Sequence, residues 1–61
     1  MKLKELKNLA KKIAQQEKAY QNATNTEERM KAEEEIMRLT SKVDSFDDLI
    51  LLDELIQDLL G

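Results

Sequence analysis

The sequence predicts a small all-α protein, a helical bundle in which residues 1–61 form a single domain. Three observations predict it. The chain has no Pro and its only Gly is the last residue, Gly61, so the residues that most often make β-turns are missing. Aromatic residues are limited to Tyr20 and Phe46 and β-branched residues are few, which disfavours a sheet. Apolar residues recur three or four positions apart, as on one face of a helix.

The first predicted helix covers about residues 2–22. Its apolar residues fall on one side and are Leu3, Leu6, Leu9, Ala10, Ile13, Ala14 and Tyr20. A basic stripe adjoins that side and consists of Lys4, Lys7, Lys11 and Lys18. The apolar side is narrow, because two of its members are Ala and because Glu17 lies within it.

The second predicted helix covers about residues 26–43, after a break at the Asn- and Thr-rich residues 22–26. Asn25 with Glu28, or Thr24 with Glu27, has the spacing of a capping box, which marks a helix start. The apolar seam consists of Ala32, Ile36, Leu39 and Val43, whereas Met30 and Met37 lie on another side. Two surface ion pairs are expected, Glu27 with Lys31 and Glu34 with Arg38.

The third predicted helix covers about residues 46–60. Ser45 followed by Asp48 has the spacing of a capping box, with Asp in place of Glu, which favours a helix start at Phe46. Phe46 and Ile50 also continue the seam of the second helix without a change of phase, and no Pro or Gly interrupts the chain there. Two architectures therefore stay open, namely a three-helix bundle and a helical hairpin whose second helix runs from about residue 26 to residue 60.

The residue inventory predicts a protein that is not an enzyme and that has no cofactor or metal site. Without His or Cys, the chain has neither a near-neutral general base nor a thiol nucleophile, and the usual zinc ligands are missing. A phosphate-binding loop needs Gly residues, and the acidic residues lack the spacing of a calcium loop. We therefore predict no catalytic residues.

The third helix has more large apolar side chains than the other two can cover. Nine of its fifteen residues are large and apolar, and leaving three or four of them exposed forfeits on the order of 5–10 kcal/mol. We therefore predict a protein–protein interaction module that forms a homodimer or docks on a partner protein, as a small regulator, inhibitor or adaptor would. The predicted contact residues are Leu51, Leu52, Leu55, Ile56, Leu59, Met30 and Met37.

Charge is distributed unevenly and suggests how the helices are arranged. Residues 1–18 contain six Lys and two Glu, whereas residues 43–61 contain six acidic residues and no basic one. Because the basic stripe and the acidic residues each flank an apolar side, placing the first and third helices side by side brings opposite charges together.

A second hypothesis is a small dimeric nucleic-acid-binding regulator that contacts phosphates through the basic stripe, Lys4, Lys7, Lys11 and Lys18. The net charge of −3 and the lack of aromatic residues among these lysines favour the interaction module. The longest run of large apolar residues, 49–52, is far shorter than the roughly 20 residues that span a bilayer, so no membrane contact is expected. A cytoplasmic location is expected, and a small-molecule substrate is not.

Overall fold

Three α-helices account for nearly the whole chain, and the computed structural model describes all of residues 1–61. The helices are α1 (Leu3–Asn22), α2 (Thr26–Thr40) and α3 (Phe46–Leu60). The predicted all-α fold and its three-helix form are confirmed. The alternative of one long second helix is wrong, because the chain leaves the helical conformation after Thr40 and re-enters it at Phe46.

A capping interaction centred on Asn25 separates α1 from α2. The Asn25 side-chain oxygen accepts a hydrogen bond from the Glu28 backbone N–H at 2.9 Å. The Glu28 carboxylate in turn accepts one from the Thr24 backbone N–H at 3.1 Å. Since the first turn of a helix leaves its N–H groups without internal partners, the Asn25 bond satisfies one of them and holds the start of α2 in place.

The end of α2 lies at Thr40, three residues before the predicted end at Val43. The Thr40 hydroxyl donates to the Ile36 carbonyl oxygen and the Ser41 hydroxyl donates to the Arg38 carbonyl oxygen, each at 2.7 Å. Such local side-chain bonds compete with continued helical pairing. The turn that follows carries Val43 into the core, where it is buried. Val43 was predicted to lie on the second helix, and the structure places it after the helix end.

The start of α3 agrees with the prediction, with Ser45 as the capping residue. The Ser45 hydroxyl accepts a long hydrogen bond of 3.5 Å from the Asp48 backbone N–H. The Asp48 carboxylate accepts a bond of 3.0 Å from the α-amino group of Met1, and this bond raises the pKa of that amine. The contact places the beginnings of α1 and α3 side by side, so α3 runs parallel to α1 while α2 returns antiparallel to both.

The central helix is α1, since α2 and α3 each pack along it and barely touch each other. The buried core consists of Leu6, Leu9, Ala10, Ile13, Leu39, Val43 and Leu52. The predicted apolar side of α1 is therefore the core side, except that Leu3 and Tyr20 near its ends are exposed. Ala10 and Ala14 are buried on the flank of α1 that faces α3, because their short side chains let that helix approach closely.

Candidate protein-interaction site

Only one of the nine large apolar residues of α3 is fully buried. That residue is Leu52, which is 2% exposed. The others are partly covered or exposed, and they are Phe46, Leu49, Ile50, Leu51, Leu55, Ile56, Leu59 and Leu60. The reason is geometric: α3 packs mainly on α1, which covers one stripe, whereas the apolar residues of α3 occupy more than half of its circumference.

The predicted contact residues of α3 do not form a single surface. Leu52 belongs to the core of the chain itself and is closed to a partner while the bundle is folded. Ile56 faces the gap between α2 and α3. Leu55 and Leu59 face the basic stripe of α1 on the opposite flank of the helix, and Leu51 lies on the same line four residues before Leu55. Two separate surfaces therefore flank α3.

The larger surface is a groove of about 570 Å³ between α2 and α3 with α1 as its floor, which we call the α2/α3 groove. Six apolar residues line it, namely Ile13, Ile36, Leu49, Leu52, Ile56 and Leu60. Its polar lining residues are Glu17, Gln21, Thr40, Asp53 and Gln57. The groove exists because α2 and α3 both pack on α1 and approach each other less closely than they approach it. It is the largest concave surface of the molecule.

Two exposed apolar residues extend the α3 edge of the groove. Phe46 is 75% exposed and Ile50 is 47% exposed, and their spacing places them on one stripe with the groove residues Asp53 and Gln57. Phe46 and Ile50 are not among the contact residues predicted from the sequence, where their spacing also continues the apolar seam of α2. The sequence signal that separates Phe46 and Ile50 from the apolar seam of α2 is the Ser45 cap, because a helix that starts anew need not keep the rotational phase of the preceding one.

The α2 edge of the groove carries the two methionines predicted as contact residues. Met37 is 68% exposed and Met30 is also exposed. Met37 lies three residues before Thr40, a groove residue, so the two are neighbours on the helix surface. Met30 extends the same stripe one heptad earlier. Sequence and structure thus agree that these methionines lie outside the core.

The basic stripe lies beside α3, as the charge distribution predicted. Lys7 and Lys11 share a shallow depression with Asp58, and Lys18 lines a neighbouring one, whereas Lys4 lines neither. No side-chain ion pair joins α1 to α3, so the opposite charges act over a longer distance. A phosphate that approached Lys7 and Lys11 would also meet the Asp58 carboxylate, which disfavours nucleic-acid binding at this place.

The ion pairs of α2 differ in part from the predicted ones. Glu27 and Lys31 lie 3.8 Å apart, as predicted. Arg38 pairs with Glu35, at 3.0 Å from its Nε atom, and not with Glu34. The hydrogen bond from Arg38 lowers the pKa of Glu35, and it raises the pKa of Arg38 in return. These pairs lie on the exposed surface of α2 and stabilise that helix locally.

Nowhere do three His, Cys, Asp or Glu side chains come together as metal ligands would. None of the three helices combines the length and the apolar character that crossing a membrane requires. Comparison of the chain with protein-family models, with curated proteins and with solved structures finds no match in any of the three. Its function is therefore inferred from the two surfaces of α3.

Proposed function

We propose that the chain is a non-enzymatic protein–protein interaction module that associates through α3 with a second copy or with a partner protein. Acting this way, it would serve as a small regulator, inhibitor or adaptor that works by occupying another protein's surface. The non-enzymatic part of the proposal rests on the residue inventory, which contains neither imidazole nor thiol groups.

The observation that carries the proposal is the exposure of large apolar side chains along α3. Phe46, Ile50 and Leu59 are exposed by 75%, 47% and 45%. Covering them fully would gain about 2.5–5 kcal/mol at 1.5–3 kcal/mol per large side chain. Single exposed apolar residues are common, but Phe46 and Ile50 extend the edge of a groove lined by six apolar residues, and contiguous patches of that kind mark interaction sites. Leu59 lies on the other flank of α3, beside Lys7 and Lys11.

Solution mass as a function of concentration tests the proposal. Light scattering and sedimentation equilibrium should show a mass above that of one 7.1 kDa chain, or a partner should be retained from a native extract. Phe46→Asp and Leu59→Asp probe the two flanks of α3 separately, and the flank in use should lose association. Both residues are exposed, so neither change should unfold the chain.

The matched control is Leu3→Asp. Leu3 is about as exposed as Leu59, at 52% against 45%, but it belongs to α1 and lines neither of the two surfaces that flank α3. It should leave the mass unchanged. Two results together would contradict the proposal. The chain would have to remain a folded monomer up to about 1 mM, where even a binding free energy near 4 kcal/mol would be detected. It would also have to retain no protein from a native extract.

A further inference from the structure

We propose that the α2/α3 groove binds a basic amphipathic helix of another protein. This inference rests on the proposed function, and it names the flank of α3 that is used and the chemistry of the partner.

The shape of the groove fits a fourth helix. Because α2 and α3 run antiparallel and both lie on α1, a helix laid between them would contact all three. The lining residues of α3 run from Leu49 to Leu60, which is about 16 Å at 1.5 Å per residue and so about three helical turns.

The lining selects an occupant with an apolar face. Ile36 from α2 and Ile56 and Leu60 from α3 point into the groove from opposite sides, and all three are only half-buried. Large side chains spaced at i, i+3, i+4 and i+7 on a docked helix would fill such a groove and release its water. The exposed side chains of Met37 and Phe46, on the two edges of the groove, would contact the two sides of that helix.

The charged lining residues select a basic occupant. Glu17 on the floor and Asp53 on the α3 edge are the only charged residues that line the groove, and neither forms an ion pair. The nearest basic residue on the same stripe of α2, Arg29, lies seven residues before Ile36, about 10 Å along the axis. Lys or Arg side chains flanking the apolar face of a docked helix would therefore meet unpaired carboxylates.

The same charges disfavour a second copy of the chain in the groove. Residues 43–61 carry six acidic residues and no basic one, so two grooves placed face to face would bring four carboxylates together, two from each Glu17 and Asp53 pair. The Lys residues of α1 do not relieve this repulsion, since the apolar side that they flank is already buried in the core. Like charges brought together at an interface suppress the wrong partner.

The test uses synthetic helical peptides of about 18 residues, long enough to form a helix when bound. One peptide has a Leu face flanked by Lys, and a second has the same Leu face flanked by Glu. Fluorescence anisotropy should show the Lys-flanked peptide binding at least about tenfold more tightly than the Glu-flanked one. Methyl spectra of the three methionines should show the Met37 signal shifting and the Met1 signal staying in place.

A matched pair of variants locates the charge effect. Asp53→Lys should weaken binding of the Lys-flanked peptide about tenfold, whereas Asp58→Lys should weaken it less than about twofold. Both residues are exposed on α3 and both changes alter the net charge equally, but Asp58 lies on the flank that faces Lys7 and Lys11. Asp53→Asn is the milder variant, should Asp53→Lys disturb the fold by circular dichroism.

Several results would overturn the inference. Equal binding of both peptides would contradict a basic partner but would still be compatible with association through α3. A homodimer that is sensitive to substitution of Asp53 and not of Asp58 would have the same meaning. Equal weakening by Asp53→Lys and Asp58→Lys would show unspecific attraction outside the groove. If no peptide binds and neither Phe46→Asp nor Leu59→Asp changes the solution mass, the proposed function fails as well.

Discussion

Leu52 is the one fully buried side chain of α3, and its truncation should cost a large fraction of the stability. It is 2% exposed and belongs to the buried core. Truncating a buried Leu to Ala costs about 2–5 kcal/mol, because transfer energy is lost and a cavity is left. A chain of 61 residues has a total stability of only about 3–9 kcal/mol, at 0.05–0.15 kcal/mol per residue.

We therefore expect Leu52→Ala to lower the free energy of unfolding by about 3 kcal/mol and the melting temperature by roughly 12–24 °C. Leu59→Ala should cost about 1 kcal/mol or less, because Leu59 is 45% exposed and leaves no enclosed cavity. Urea unfolding followed by circular dichroism at 222 nm measures both values. The experiments should be run at a concentration where the chain is monomeric, since association would stabilise α3 through Leu59 as well.

Leu52→Met is the control that shows whether the cost of Leu52→Ala comes from the lost side-chain volume. It nearly conserves the side-chain volume and should cost less than about 1.5 kcal/mol. If Leu52→Ala costs no more than Leu59→Ala in the monomer, then α3 is not anchored through Leu52, and the division of α3 into one core residue and two open flanks is wrong.

Three further outcomes follow from hydrogen bonds at the helix ends and on the surface. Asn25→Ala should lower the free energy of unfolding by about 1 kcal/mol, as urea unfolding would show, because its 2.9 Å cap is lost. The pKa of the Met1 amine, ordinarily 8.0, is raised by its hydrogen bond to Asp48. The stabilisation from this bond is therefore complete below about pH 8, and it disappears as pH rises through the pKa of the folded state. Asp48→Asn should abolish that alkaline dependence in melting curves. The pKa of Glu35 is lowered from 4.5, so its contribution holds above that pH and is lost as pH falls through the folded value. Glu35→Gln should reduce the loss of stability at acid pH in melting curves. A side-chain NMR titration that gave Glu35 a pKa above 4.5 would contradict its ion pair with Arg38.

Local sequence signals predicted a start of α2 near residue 26 and offered a start of α3 at Phe46, although they did not exclude one helix from residue 26 to residue 60. The reciprocal bonds among Thr24, Asn25 and Glu28 and the cap at Ser45 involve residues within four positions of one another, so their spacing in the sequence predicts them. The end of α2 is different. It depends on Val43 leaving the helix to enter the core, and that core includes residues of α1 that are far away in the chain.

Sequence also determined that α3 has a surplus of apolar side chains, since composition and periodicity suffice to count them. It could not determine which of them stay uncovered. More than half of the helix circumference is apolar, so several rotations of α3 would bury a similar area, and the pattern does not distinguish them. Only tertiary packing selects the rotation that buries Leu52 in the core shared with α1 and α2. The same packing holds α2 and α3 apart and so creates the groove, because a gap between two helices depends on where a third one supports them.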